Sequence, residues 1–187
     1  MLKTILDFSH QLIKESVKKE ELVVDATCGN GNDTLFLSNI VGENGKVLAF
    51  DLQEQAIQAT RKLIEENRKN NVMLIHDSHE NIGLHLSSHD VIGGAIFNLG
   101  YLPKSDKTII TNATSTISAV NAILQHLKIN GLIVLVVYHG HEGGKEEKDA
   151  LLKYVTQLSQ KSFHVLQYGY INQSNNPPFI IAIEKRP

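Results

Sequence analysis

A glycine-rich turn near the start of the chain has the composition of a ligand-binding turn. The apolar run Leu22–Asp25 leads into the segment A-T-C-G-N-G-N-D-T (26–34), in which one residue separates Gly29 from Gly31. Glycines at such a turn let the backbone approach a ligand closely, and the N–H groups of a following helix then point at that ligand. A tight turn without any ligand would use the same residues. The turn alone therefore leaves both interpretations open.

The acidic residues around this turn favour a positively charged ligand. The dinucleotide-binding pattern G-x-G-x-x-G requires a third glycine at position 34, where this chain has Thr34. A pyrophosphate at the turn would also face the carboxylates of Asp25 and Asp33, and like charges repel. The turn is therefore better suited to an ammonium or a sulfonium group than to a phosphate.

Further acidic residues end the next two predicted strands. Asp51 ends the run V-L-A-F-D, where a carboxylate can accept hydrogen bonds from both hydroxyls of a ribose. Asp77 and Ser78 follow the third run, at a position suited to the exocyclic amine of an adenine. The carboxyl ends of parallel strands lie at one edge of a sheet, where open α/β sheets bind ligands. Together with Asp25, these residues predict a crevice for a nucleoside that carries a positive charge.

The fourth apolar run ends in F-N-L-G-Y-L-P (97–103), which favours an amine substrate. The side-chain oxygen of Asn98 and a backbone carbonyl can hold the N–H groups of a neutral amine, while the ring of Tyr101 packs against the substrate. A strand end and a turn that stops at Pro103 would explain the same residues without a substrate.

The fifth run is followed by a histidine-rich segment, Y-H-G-H-E (138–142). Tyr138 and His139 fall at the same edge of the predicted sheet, where a neutral histidine can accept a proton from a substrate ammonium or contact RNA. His141 and Glu142 also invite a metal, but two histidines without a third strong ligand are a weak metal signature, and we expect none. Solvated loop histidines are an equally good explanation.

Alternating apolar and amphipathic stretches predict the elements that position these residues. Such alternation is typical of helices packed on both faces of a mostly parallel sheet. The predicted strands are 22–25, 47–51, 72–75, 91–98, 132–138, 164–171 and 179–184, and the predicted helices are 4–19, 32–40, 53–69, 110–129 and 144–160.

The last two predicted strands are expected to form a hairpin. The segment N-Q-S-N-N-P-P (172–178) is too short for a crossover helix and is rich in turn-forming residues. These strands should therefore pair antiparallel at one edge. The predicted fold is an α/β three-layer sandwich of Rossmann-like type, with a seven-stranded, mostly parallel sheet and one antiparallel edge strand.

The composition is that of one globular domain over residues 1–187. The chain is 42% hydrophobic and 20% charged, which is ordinary for a domain with a sizeable core. Its formal net charge of −2 argues against coating nucleic acid through bulk positive charge, although a local basic patch would fit. A single cysteine, Cys28, excludes an internal disulfide, and no signal peptide or membrane-spanning run is present. We expect a soluble cytoplasmic protein.

The motif set resembles the class I S-adenosylmethionine (SAM)-dependent methyltransferases. Asp25-x-x-x-Gly29-x-Gly31, Asp51 and Asp77 are similar to motifs one to three of that class, and the order of elements matches over nearly the whole chain. The resemblance implies SAM as the cofactor, with its methionine end at the turn, its ribose at Asp51 and its adenine at Asp77. The cofactor-binding residues that it implies are Asp25, Thr27, Gly29, Asn30, Gly31, Asn32, Asp33, Asp51, Gln53, Asp77, Ser78 and His79.

A more specific resemblance involves the segments DATCGNGNDT, LAFDLQ, HDSHE, FNLGYLP and YHGHEGG. Together they are similar to the small bacterial MnmM family, whose members were first labelled rRNA methylases. That family converts 5-aminomethyl-2-thiouridine at the tRNA wobble position to its 5-methylaminomethyl form. The resemblance implies the same reaction here, in a homodimer without an added RNA-binding domain. The catalytic residues that it implies are Asn98, Tyr101, Tyr138 and His139.

A tRNA substrate would then have to contact the catalytic domain itself. Lysines near the mouth of the crevice could bind phosphates of the anticodon stem-loop, or could be plain solvated surface; examples are Lys104, Lys107 and Lys145. Other functions stay open. The acceptor could be rRNA or a small-molecule amine, the protein could be a non-catalytic RNA- or nucleoside-binding protein that retains the fold, or it could be a nicotinamide-dependent oxidoreductase, which Thr34 disfavours.

Overall fold

Seven strands, five α-helices and one 3₁₀ helix alternate along the residues that the computed structural model describes, which are 1–99, 113–140 and 143–187. The strands are β1 (Leu22–Asp25), β2 (Lys46–Asp51), β3 (Val72–His76), β4 (Ile92–Leu99), β5 (Leu127–Val137), β6 (Phe163–Tyr168) and β7 (Phe179–Lys185). The α-helices are α1 (Ile5–Ser16), α2 (Asn32–Val41), α3 (Glu54–Glu66), α4 (Ala113–His126) and α5 (Gly144–Val155), and the 3₁₀ helix is His79–His85.

The strands form one sheet in the order β3-β2-β1-β4-β5-β7-β6. Strands β1 to β6 run parallel, and β7 runs antiparallel to both of its neighbours, β5 and β6. The predicted Rossmann-like fold class and the hairpin at one edge are confirmed; within the hairpin, β7 is the reversed strand and β6 forms the edge. Strand order reverses between β1 and β4, and ligands of open α/β sheets bind at such a reversal.

Several elements differ from the prediction. Helices α1 and α3 end at Ser16 and Glu66, before the predicted ends at 19 and 69, and β6 ends at Tyr168 rather than at 171. Helix α4, predicted to reach 129, ends at His126, and β5 begins at Leu127. Asn130, within β5, has a positive φ of 61°, which a regular helix does not contain. Helix α5 ends at Val155 rather than near 160. The 3₁₀ helix His79–His85 was missed, since a helix of only seven residues that contains Gly83 has no detectable apolar period.

Both faces of the sheet are covered, so the core has two halves. Phe97 of β4 packs in the half that includes α4 and α5, together with Phe50 of β2. Its neighbour Ile96 points to the opposite face and packs with Ile13 of α1 and Leu37 of α2. Successive residues of a strand point to opposite faces, so the burial of nearly every residue of β4 shows that both of its sides are covered. No helix in the described ranges is long and apolar enough to cross a membrane.

Glycine in β4 lets helix α1 lie directly on the sheet. A Cβ atom added to Gly94 would approach Val17 Cγ2 to 2.7 Å and the backbone oxygen of Leu132 to 3.2 Å. The absence of a side chain at Gly94 therefore sets how closely the carboxyl end of α1 approaches the amino end of β4.

We predict that Gly94→Ala lowers the free energy of unfolding by about 1–3 kcal/mol, the usual cost of overpacking a core. The measurement is denaturant unfolding followed by circular dichroism. Gly83→Ala is the matched control, because its added Cβ would lie 3.6 Å from the Cβ of Ala122, an ordinary contact. Equal stability of the Gly94→Ala variant and the wild type would show that α1 is not held at this distance.

Candidate functional site

A buried carboxylate holds the glycine-rich turn from below. Asp25, the last residue of β1, is completely buried, and its Oδ1 accepts a hydrogen bond from the backbone N–H of Thr27 at 3.2 Å. Its Oδ2 accepts a 2.6 Å hydrogen bond from the hydroxyl of Thr34 in the first turn of α2. Asp25 thus joins β1, the turn and α2. It shapes the turn from beneath and leaves the surface of the turn to a ligand.

The position of Asp25 raises its pKa. Burial is the main cause, and the nearby carboxylates of Asp33 and Asp51 add to it, so that the pKa rises from 3.8 to about 7. The hydrogen bonds from Thr27 and Thr34 act in the opposite direction. Three carboxylates close enough to repel one another make this edge of the sheet favourable for a cation.

Asp51 fastens the turn to strand β2. Its Oδ2 accepts a 2.9 Å hydrogen bond from the N–H of Gly29, and its Oδ1 accepts one of 3.0 Å from the N–H of Gln53 at the start of α3. Gly31 has a φ of +84°, and an added Cβ would lie 3.0 Å from the Cα of Thr60. The Thr60 hydroxyl in turn donates to the backbone oxygen of Gly29 at 3.1 Å. Gly29 also has a positive φ, of 52°. Backbone geometry therefore favours glycine at both positions, and close packing against Thr60 requires it at Gly31.

The end of β3 carries a second polar cluster. Asp77 accepts hydrogen bonds from the backbone of Ser78 at 2.7 Å, from Asn81 at 2.9 Å and from His85 Nε2 at 3.0 Å. The hydrogen bond from His85 is the largest of the causes that hold the pKa of Asp77 below its usual value. Ser78 Oγ accepts from the N–H of Glu80 at 3.3 Å and so caps the 3₁₀ helix.

His79 connects this cluster to the turn. Its Nδ1 lies 3.2 Å from the backbone oxygen of Ala26, so Nδ1 carries the proton and donates it. Burial lowers the pKa of His79, which keeps the imidazole neutral. The other nitrogen, Nε2, is buried and has no hydrogen-bond partner in the part of the chain that the structure describes. It is an acceptor available to a ligand.

At the end of β4, Asn98 is held by hydrogen bonds on two sides. Its backbone N–H donates to Thr27 Oγ1 at 2.7 Å, and its side-chain Nδ2 donates to Asp33 Oδ2. The side-chain oxygen, Oδ1, is buried and lacks a partner among the described residues. The other oxygen of Asp33 lies 2.6 Å from His10 Nε2. The predicted acceptor of amine N–H groups is thus adjacent to the predicted cofactor turn.

Of the other residues predicted for catalysis, two are described. Tyr138 is partly exposed, and burial together with the charge of Asp33 raises its pKa, so its hydroxyl stays protonated. The ring of His139 lies 5.6 Å from that of Phe179. Tyr101 lies outside the described residues.

The remaining predictions concern the surface and a metal. Asn30, Asn32 and Lys145 are exposed, whereas Lys104, Lys107, His141 and Glu142 lie outside the described residues. In residues 1–99, 113–140 and 143–187, no group of three or more His, Cys, Asp or Glu side chains could hold a metal ion. Cys28 is buried, and burial raises the pKa of its thiol, so a role in packing suits it better than one as a nucleophile.

Sequence reasoning missed several residues that support this site, among them Thr60, Asn81 and His85. Two others, Thr34 and His10, hold charged groups of the crevice. In the sequence, Thr34 was considered only as the residue that replaces the third glycine of the dinucleotide-binding pattern. In the structure, its hydroxyl donates a hydrogen bond to Asp25. His10 lies on α1, far from every motif, and it reaches the site only because α1 packs across β4. The spacing Asp25-x₈-Thr34 could have indicated the first contact, whereas no local pattern could have indicated the second.

The fold and the acidic crevice define a class I methyltransferase. A SAM-dependent O-methyltransferase from Thermotoga maritima shares the fold, with a TM-score of 0.69 at 13% identity over all of this chain and 67% of that one. Two crystal structures are much more similar, each at 42% identity over 99% of both chains. They are a "putative rRNA-methylase" from Clostridium thermocellum, with a TM-score of 0.96, and a "putative methyltransferase" from Streptococcus mutans in complex with S-adenosylhomocysteine (SAH), with a TM-score of 0.91.

The sequence profile of the family described as "Putative rRNA methylase" matches residues 47–184. A relative in Arabidopsis thaliana, the chloroplastic tRNA (mnm(5)s(2)U34)-methyltransferase, is 33% identical over 98% of this chain and 70% of its own length. The chain belongs to this family of methyltransferases.

The raised pKa of Asp25 predicts a specific dependence of stability on pH. Between pH 3.8, the ordinary pKa, and about pH 7, the pKa in the folded protein, the folded protein holds a proton on Asp25 that the unfolded chain has lost. The contribution of Asp25 to the free energy of unfolding therefore falls as the pH rises through this window, by about 3–4 kcal/mol at most.

Chemical denaturation at a series of pH values tests this. Asp25→Asn removes the titrating group. As the pH rises from about 4 to about 7, the free energy of unfolding of the wild type should therefore fall relative to that of the variant. Asp149→Asn, at an exposed position on α5, should keep the wild-type profile. If the free energies of unfolding of Asp25→Asn and wild type differ by the same amount at every pH in this range, the pKa of Asp25 is not raised in the folded protein.

Proposed function

We propose that residues 1–187 form one SAM-dependent methyltransferase domain that methylates 5-aminomethyl-2-thiouridine at the wobble position of tRNA. The product would be the 5-methylaminomethyl form. The observation that carries the proposal is the buried side-chain oxygen of Asn98, which has no partner in the described structure and lies beside the acidic crevice. The similarity to the Arabidopsis tRNA methyltransferase supports the choice of substrate.

The residues of the crevice fit SAM as the cofactor. The carboxylates of Asp25, Asp33 and Asp51 suit a ligand with a sulfonium and an ammonium group. The Asp51 oxygens, already held by Gly29 and Gln53, are oriented to accept ribose hydroxyls as well. A bound SAH in the related Streptococcus mutans structure supports the same ligand here.

We assign the remaining cofactor contacts by position. Asn30, Gly31, Asn32 and Asp33 would surround the amino acid part at the start of α2, and Thr27 would support the turn. The adenine would lie against the β3 end, formed by Asp77, Ser78 and His79. The free acceptor Nε2 of His79 could take an N–H or O–H from the nucleoside.

In the reaction, SAM supplies an electrophilic methyl group on sulfur, and the chain supplies positioning. Asn98 Oδ1 accepts one N–H of the neutral acceptor amine, so that the nitrogen lone pair faces the methyl group. Tyr138 and Tyr101 pack against the substrate. His139, at the carboxyl end of β5, accepts the proton that the amine must lose. No covalent intermediate with the enzyme is needed, because a neutral amine is already a good nucleophile.

The proposed enzyme is a cytoplasmic homodimer. The outer side of the edge strand β6 pairs with no other strand among the described residues, and such an edge can pair with a second copy of the chain. Lys145, at the exposed start of α5, would contact phosphates of the anticodon stem-loop, together with Lys104 and Lys107.

Calorimetric titration tests the cofactor. Binding of SAM and SAH but not of NAD is expected, and Asp51→Ala should weaken SAH binding about 10- to 100-fold, because it removes hydrogen bonds to a charged acceptor. Glu54→Ala is the matched control, since Glu54 is an exposed neighbour whose carboxylate contacts His76 and Gln58 on the surface. Preferential binding of NAD would revive the oxidoreductase hypothesis.

Mass spectrometry of digested RNA tests the reaction. Purified protein with SAM is incubated with tRNA from cells that lack this gene, and we expect 5-aminomethyl-2-thiouridine to gain the mass of one methylene. Asn98→Ala should slow this conversion about 100-fold, since it removes the group that orients the amine, with SAH affinity nearly unchanged. Asn44→Ala, in an exposed loop, is the control.

Three other results would contradict the tRNA assignment. Methylation of rRNA alone, or of small amines alone, would identify a different acceptor for the same site. Binding of RNA and SAM without methyl transfer to any RNA or amine would favour a non-catalytic binding protein that retains the fold.

A further inference from the structure

A chain of hydrogen bonds connects helix α1 to the predicted acceptor site. His10 Nε2 lies 2.6 Å from Asp33 Oδ1, and Asp33 Oδ2 accepts a hydrogen bond from Asn98 Nδ2. The three residues come from α1, α2 and the end of β4, so the chain spans elements that are distant in sequence. None of the cofactor and catalytic motifs includes His10.

The chemistry of these groups fixes the orientation of the Asn98 amide. An ionised carboxylate can only accept hydrogen bonds, so both of its neighbours must present N–H groups. His10 therefore carries a proton on Nε2, and Asn98 turns its NH₂ group toward Asp33. The Asn98 oxygen must then point away from Asp33, which is the arrangement that leaves it free to accept an N–H from a substrate.

The imidazole of His10 is itself held in place. Its ring stacks on Phe36 of α2, with centroids 3.9 Å apart and planes 11° from parallel. Its side chain is 34% exposed, while that of Asp33 is 13% exposed. The outer side of His10 faces a cavity of about 510 Å³ lined by Lys3, Asp7, His10, Gln11, Lys14 and Phe36. The stacked ring thus covers Asp33 and directs a single N–H at it.

We propose that His10 is a positioning residue for methyl transfer, which acts through Asp33 to hold the Asn98 oxygen toward the acceptor amine. This inference rests on the proposed function, because it assigns the purpose of the amide orientation to an amine acceptor. Without the hydrogen bond from His10, Asp33 can rotate or bind water. The Asn98 amide then loses its fixed partner, and the near-attack geometry is populated less often.

Two variants of His10 separate the hydrogen bond from the packing of the ring. His10→Gln keeps an N–H donor the same number of bonds from Cα, and His10→Phe keeps a ring to stack on Phe36 but has no donor. We expect His10→Phe to lower kcat for the tRNA about tenfold at saturating SAM, because a hydrogen bond to a charged group is lost. His10→Gln should recover kcat to within about threefold of wild type.

A measurement that needs no substrate accompanies the kinetics. The side-chain NH₂ signals of Asn98 in ¹⁵N-labelled protein are assigned by their loss in Asn98→Ala. They should shift or broaden in His10→Phe and stay near their wild-type positions in His10→Gln. His164→Phe is the control, since His164 forms a similar histidine–carboxylate pair with Glu184, at 3.5 Å, on the remote edge strand β6.

The outcomes separate this inference from the proposed function. A kcat of His10→Phe equal to that of the wild type would overturn the positioning role. An equal decrease of kcat in His10→Phe and His10→Gln would overturn it too. Unchanged Asn98 amide signals in His10→Phe would overturn it as well. If the wild-type protein transfers no methyl group to tRNA, the proposed function fails, while the amide signals still decide whether His10 orients Asn98.

Discussion

The buried carboxylate of Asp25 is the group on which the geometry of the site depends. It ends β1, it holds the turn through the N–H of Thr27, and it holds the first turn of α2 through the hydroxyl of Thr34. Burial beside two other carboxylates is unfavourable for its charged form, as its raised pKa shows. The fold keeps this carboxylate because the turn and α2 are both positioned by it, and a bound cation would relieve the repulsion.

The sheet topology then brings the other groups to this turn. Strands β1, β2 and β4 are neighbours, so Asp51 at the end of β2 reaches Gly29, and Asn98 at the end of β4 reaches Thr27. Asp33 links the cofactor crevice to the predicted acceptor site. It contributes to the acidic crevice, and it also accepts a hydrogen bond from the Asn98 amide. Under the proposed function, the positive charge of SAM and the acceptor amine would therefore lie close to the same carboxylate, that of Asp33.

Sequence patterns could predict the fold because the strands and most helices have their own local apolar period. They could place Asp25, Asp51 and Asp77 because the first two end strands and the third directly follows one. Contacts between distant elements had no such local signal. The stacked His10 depends on how α1 crosses β4, which Gly94 allows, and the 3₁₀ helix at His79 is too short to show a period. The full burial of Asp25 could not be predicted from the sequence either. A carboxylate at a strand end can contact a ligand directly or support the turn from beneath, and both arrangements have the same sequence pattern.

The most direct test of this account is a crystal structure of the protein in complex with SAM. The account predicts the ribose hydroxyls within hydrogen-bond distance of Asp51, about 3 Å, and the sulfonium methyl group facing the side-chain oxygen of Asn98. A nucleoside bound away from Asp51, or a methyl group directed away from Asn98, would contradict it. Either result would mean that the acidic edge of the sheet and the Asn98 amide do not form one reaction site.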